Sequence, residues 1–76
     1  MKLDARTRAL IAVGASVAAN CQPCLQSAAC TALKCGASEQ EIAEAIKVAM
    51  TVRKCAASNM DKFIASLNTI RPITDR

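Results

Sequence analysis

No stretch of this chain alternates polar and apolar residues with period two, and helix-breaking residues gather at three places: Asn20–Pro23, Cys35–Ser38 and Arg71–Pro72. A chain punctuated so sparsely folds as a few long helices, so the expected class is all-α. Asp4 is a suitable N-cap for a first helix over residues 5–19. That segment is apolar nearly all round from Ala9 to Ala19, which predicts a central element. Its small residues Gly14, Ala15 and Ala18 permit a neighbouring helix to approach closely. Asn20–Gln22 form the first break. Pro23 suits the first turn of a second helix, where its missing N–H has no partner to lose. That helix runs to about Lys34, with Gly36 at the left-handed position beyond it.

Ser38-Glu39-Gln40-Glu41 has the spacing of a capping box, in which hydroxyl and carboxylate each satisfy an exposed N–H. The third helix then places Ile42, Ala45, Ile46, Ala49, Met50 and Val52 on or near one face. Glu39, Glu44, Lys47, Arg53 and Lys54 lie mostly on the other. Ser58-Asn59-Met60-Asp61 reads as the start of a fourth segment carrying Phe63, Ile64, Leu67 and Ile70. It should end by Arg71, because the residue before Pro72 avoids helical geometry. Residues 1–76 thus read as a single domain with a short tail at 71–76.

Composition sets the stability problem. Sixteen residues are alanine, five are cysteine, and only nineteen carry larger apolar side chains. A chain of this size buries only roughly 60% of its unfolded surface. With so few bulky groups an isolated monomer is marginal, and oligomerisation, a disulfide or a metal is the expected remedy. Composition also excludes chemistry. Histidine is absent, which removes Ser–His and Cys–His catalysis and His-ligated metals from this chain. A single aromatic, Phe63, offers no base-stacking platform. The charge of +4 comes from ten scattered basic residues, the pattern of a basic soluble surface rather than a nucleic-acid site. Met1–Ala19 has some features of a secretory leader, but Asp4 interrupts the basic stretch and Asn20 before Cys21 does not suit lipoprotein processing. Ten apolar residues cannot span a bilayer. The segment is read as a buried helix, with no membrane partner, and the chain as cytoplasmic.

Cys21-Gln22-Pro23-Cys24 is the sharpest chemical feature. At a helix start, free N–H groups and the positive dipole end favour a thiolate, the nucleophilic form of cysteine. A second thiol one turn away can resolve a mixed disulfide. The same spacing is also half a zinc site, and buried cysteine is a common small filler. On one helix Cys30 points about 120° away from Cys24, and Cys35 lies about 16 Å along the axis. Neither can share a mononuclear site with the pair in this chain, although Cys55 or a second subunit could supply ligands. Cys30, Cys35 and Cys55 are read as packing residues, and Met50 and Met60 as core filling. Lys47, Arg53 and Lys54 read as a solvated face that could also attract an anionic substrate, and Lys54 or Arg53 of a second subunit could approach the cysteine pair.

The order of motifs resembles a known family. The relevant segments are Leu3-Asp4 with Arg6-Thr7-Arg8-Ala9-Leu10, then Ala19-Asn20-Cys21-Gln22-Pro23-Cys24-Leu25, then Ala32 through Ile42. Glu44-Ala45-Ile46, Val52-Arg53-Lys54 and Met60-Asp61-Lys62-Phe63 complete the series. Over about residues 3–65 the chain looks like a short, single-core member of the carboxymuconolactone decarboxylase and alkylhydroperoxidase D-like superfamily. The resemblance implies an antiparallel core of three to four helices that assembles as a homo-oligomer, a trimer or hexamer. It implies that Cys21 and Cys24 form a redox pair that reduces disulfides or hydroperoxides at the expense of a dithiol donor, with no cofactor.

Two positions depart from the pattern. Redox members usually carry a His four residues after the second cysteine and a Glu about twelve before the first; here these are Ala28 and Ala9. Their loss weakens peroxide reduction most, because the leaving oxygen needs a proton. Thiol–disulfide exchange needs less, since the leaving thiolate can take its proton from water. The leading expectation is a disulfide reductase using Cys21 and Cys24. The alternatives are a weak alkylhydroperoxidase, a metal or iron–sulfur binder, and a non-catalytic oligomeric family member.

Overall fold

The computed structural model describes residues 2–67, and nearly all of them belong to three helices: α1 (Ala5–Ala18), α2 (Gln22–Lys34) and α3 (Glu39–Ala65). No strand occurs among the described residues. Each helix starts on a side-chain cap. The Thr7 N–H donates to the Asp4 carboxylate at 2.7 Å, and hydrogen bonding from Thr7, its side chain first and then its N–H, holds the Asp4 carboxyl below its ordinary value. Both halves of the capping box form: the Glu41 N–H donates to Ser38 Oγ at 3.0 Å, and the Ser38 N–H donates to the Glu41 carboxylate at 2.9 Å. The Arg6 guanidinium of α1 pairs with the same carboxylate. The Ser38 N–H first, and then Arg6, push the Glu41 carboxyl below its usual range.

Both chain reversals use the same device, a left-handed residue followed by a bond back across the helix end. After α2, Gly36 has φ +94°, its N–H donates to Leu33 O at 3.1 Å, and the Ala37 N–H donates to Ala32 O at 2.9 Å. After α1, Asn20 takes φ +58°, its N–H donates to Val17 O at 3.1 Å, and the Cys21 N–H donates to Ser16 O at 3.0 Å.

The central role expected of α1 holds, since it packs against both other helices while α2 and α3 touch each other little. The core consists of Ala9, Val13, Ala28, Ala32, Ala37 and Ile42, with half-buried Leu10, Leu25 and Ile46 against it. Val13 alone is a large side chain with no exposure among the described residues. Alanines therefore set the interhelical spacing. A Cβ at Gly14 would stand 3.6 Å from Ala45 O and 3.8 Å from Ala49 Cβ, ordinary contact distances that place α3 directly over the small-residue stripe.

The structure corrects three expectations. No fourth helix starts at Ser58, because α3 continues unbroken through Asp61 to Ala65. A serine or asparagine caps a helix only where the chain has left helical geometry, and neither Gly nor Pro between Ser38 and Ala65 makes it do so. Phe63 and Ile64 thus lie on α3, Leu67 follows it, and Ile70 to Pro72 lie outside the described residues. Met50 and Met60 are not core filling but stand 50% and 57% exposed, and Val52 is exposed as well. For Met60 the reason is length: α1 is 14 residues long and α3 is 27, so at about 1.5 Å per residue the second half of α3 outruns its partner. Met50 and Val52 instead lie where α3 faces α1, on the walls of open grooves between the two helices. Ile11 also faces outward, so α1 is not covered on every side. No helix among the described residues is long and apolar enough to cross a membrane.

Candidate redox site

Cys21 belongs to two helices at once. Its N–H completes the C-terminal motif of α1, and its side chain is the N-cap of α2, with Sγ accepting from the Cys24 N–H at 3.3 Å. Pro23 fills the first turn, where its ring costs no hydrogen bond. One turn separates the two cysteines, their Cα atoms are 5.2 Å apart, and the sulfurs are joined as a disulfide. In the dithiol state the same N–H and the helix dipole favour negative charge on Cys21.

The two sulfurs differ in setting. Cys24 is exposed, whereas Cys21 is half-buried and lines an open cleft of about 310 Å³ between the α1–α2 junction and α3. Val17, Leu25, Ile46 and Met50 give this cleft apolar walls, and Arg53 supplies its cation. The Arg53 guanidinium reaches back from α3 to the junction. Nη1 donates to Asn20 Oδ1 at 2.8 Å and to Val17 O at 3.0 Å. The sequence placed Arg53 with Lys47 and Lys54 on a solvated face. It is exposed, yet its head group is anchored beside the cysteine pair from within the same chain. Nothing local announces this contact, because 33 positions separate Arg53 from Asn20. Lys47 and Lys54 line a second open groove that adjoins the cleft through Met50 and Arg53.

Ala9 and Ala28, which stand where redox relatives carry Glu and His, are both buried in the same apolar cluster. Among the described residues the one buried polar or charged side chain is that of Ser16. The nearby buried hydroxyl of Ser16 donates to Ala12 O at 2.6 Å.

The remaining cysteines are not the packing residues expected. Cys30 and Cys55 are exposed, and Cys35 is the half-buried C-cap of α2. Cys30 faces away from α1, and Cys55 sits on the part of α3 that α1 does not reach. Among the described residues no three Cys, Asp or Glu side chains gather in a way that could hold a metal ion, so Cys55 does not complete a site with Cys21 and Cys24 within one chain.

The profile of the carboxymuconolactone decarboxylase family matches residues 1–64. Among curated proteins and solved structures no significant match is found.

Proposed function

The chain belongs to the carboxymuconolactone decarboxylase family, and from that premise we propose that it is a thiol–disulfide oxidoreductase working through Cys21 and Cys24. The observation that carries this reading is the position of Cys21: a helix N-cap whose sulfur receives the Cys24 N–H and lies within bonding reach of the second thiol. One thiolate of the pair attacks a substrate disulfide, forming a mixed disulfide and releasing one substrate thiolate. The other then attacks the enzyme sulfur, releases the second thiolate and leaves the Cys21–Cys24 disulfide. Two electrons and two protons pass from the dithiol to the substrate. An external dithiol donor reverses the change, which suits a reducing compartment such as the cytoplasm.

The buried alanines at 9 and 28 favour disulfides over peroxides as substrates. Cleaving an O–O bond leaves an oxygen that must be protonated, and the apolar cluster holds no group to do so. Lactone decarboxylation needs an acid–base pair, and these same positions lack one.

The reading includes self-association. A core built mainly of alanine is small for an independent fold, and Leu10, Ile11, Ala18, Val48 and Val52 line an uncovered apolar groove between α1 and α3. A second copy of the chain is the occupant that supplies the missing buried area. Val48→Asp should shift the protein toward monomer in analytical ultracentrifugation, whereas an unchanged mass would remove this groove from the interface.

The redox reading is tested by titrating anaerobically purified protein against a thiol buffer, trapping each state by alkylation and mapping it by mass. A reversible two-electron Cys21–Cys24 couple is expected, in the range of cellular dithiol carriers, about −180 to −270 mV. A pair that never forms the disulfide, or forms one that no cellular dithiol reduces, overturns it.

A further inference from the structure

The cleft beside Cys21 has one cation and no anion, set among apolar walls and the uncharged Ser16, Asn20 and Gln22, and this asymmetry bears on the substrate. We propose that Arg53 is a specificity-determining residue, which binds a carboxylate on the incoming disulfide while the apolar walls hold the body of the substrate against Cys21. The inference rests on the oxidoreductase reading and deepens it.

Three observations meet here. First, of the two redox sulfurs only Cys21 lines the cleft, so a substrate seated there meets Cys21 and not Cys24. Second, Arg53 lines the same cleft, and its two bonds to Asn20 and Val17 use Nη1 alone. The anchoring fixes the guanidinium next to the residue that precedes Cys21, while Nη2 and Nε keep N–H groups for a ligand. A guanidinium held this way presents a fork matched to a carboxylate, with little ordering left to lose on binding. Third, no carboxylate lines either the cleft or the adjoining groove, where Lys47 and Lys54 extend the positive surface beyond Arg53. Nothing there competes for the guanidinium or repels an anion.

The step follows from this placement. The Cys21 thiolate attacks the nearer substrate sulfur, the Cys21–substrate bond forms and the substrate S–S bond breaks. The departing half leaves as a thiolate and takes a proton from water. The Cys24 thiolate then attacks Cys21 Sγ, and the second half leaves in the same way. Arg53 takes no part in bond making. It holds the anionic half while Cys24 closes the enzyme disulfide.

The test uses the pre-reduced full chain and two probes: dithiobis-nitrobenzoate, an aromatic disulfide with a carboxylate on each ring, and dithiodipyridine, a neutral one. Arg53→Gln should slow oxidation by the anionic probe about tenfold, the worth of one charge-assisted hydrogen bond, and leave the neutral probe within about twofold. Arg53→Lys keeps the charge without the fork and should recover only part of the rate. Lys34→Gln removes the same charge at the far end of α2 and should leave the ratio of the two rates unchanged. In the wild-type protein, added salt should slow the anionic probe more than the neutral one, and this holds even if a variant loses its helical circular dichroism. Equal slowing of both probes by Arg53→Gln would assign Arg53 to the turn or to thiolate activation and overturn the proposal, as would an unchanged ratio. In those cases the oxidoreductase reading stands if the neutral probe still yields the Cys21–Cys24 disulfide. If neither probe yields it, both readings fall.

Discussion

The two chain reversals have the same backbone and different chemistry. Each closes a helix with a left-handed residue and a pair of bonds back to it, and each is tied down by an arginine from another helix. At the second, between α2 and α3, the left-handed residue is Gly36, the cap is Ser38, and Arg6 reaches Glu41. At the first, between α1 and α2, the left-handed residue is Asn20, the cap is Cys21, and Arg53 reaches Asn20. Glycine adopts positive φ without steric cost and serine is among the best caps. Asparagine tolerates that backbone less well, and a sulfur is a weak acceptor. Local stability is thus greater at the junction that has no chemistry to perform. The junction that departs from the best local choices holds the redox pair, as functional sites commonly do.

The sharpest way to break this comparison is to give the first junction the cap of the second. Cys21→Ser should bring disulfide reduction down to the uncatalysed background. The same variant should unfold in urea at a higher midpoint than the reduced wild type, by about 0.5–1 kcal/mol, because a hydroxyl caps better than a thiol. Retained turnover would remove Cys21 from the chemistry, and a lower midpoint would undo the ranking of the two caps.

Gly36→Ala tests the second junction from the backbone side. A Cβ at Gly36 meets nothing within 4 Å, so its expected cost of about 1–2 kcal/mol is that of placing an L side chain at positive φ. Ser38→Ala should cost about 1 kcal/mol in the same measurement. Neither should alter the reduction potential, and a shift in potential would show that the junctions are coupled through α2.

Acid should separate the junctions least, but with a definite sign. Asp4 and Glu41 have carboxyls held below their ordinary values, by Thr7 and by Ser38 with Arg6 respectively. Their contribution to stability is complete above the ordinary carboxylate range and is lost as pH falls through the depressed folded values. The melting temperature should stay level from neutral pH and fall below about pH 4, less steeply in Glu41→Gln. No carboxylate takes part in the contacts of the first junction, so acid in this range should leave the Asn20–Arg53 contact in place.

What was legible in the sequence depended on the reach of each signal. Asp4, Gly36 and the Ser38–Glu41 box act within one turn, and the structure shows each in the expected role. The spacing of Cys21 and Cys24 and the order of motifs around them identified the family and the candidate pair for the same reason. Ser58-Asn59 has the letters of a cap without the break that makes one, so one long helix read as two. The exposure of Met60 depends on α1 being half as long as α3, and that of Met50 on the cleft beside Cys21 standing open, and no pattern within α3 records either. Arg53 was legible as a cation that a second subunit could bring to the pair but not as a neighbour of Cys21 within one chain, because that contact exists only once α3 has folded back along α1. The cleft was invisible for the same reason.

The overhang of α3 has a consequence for local motion. From Arg53 to Ala65 the helix has no partner helix along its side, and Ile64 is its only half-buried residue. This stretch is held by its own backbone bonds and its continuity with the base of α3 rather than by packing, whereas Ile42 and Ala49 nearer the base are buried. Amide hydrogens should therefore exchange along α3 in a gradient, slow at its base and fast at its tip. Arg53 stands where the slow part should end. Its two bonds to Val17 and Asn20 tie the guanidinium to α1, so it should hold its place while the tip beyond it opens.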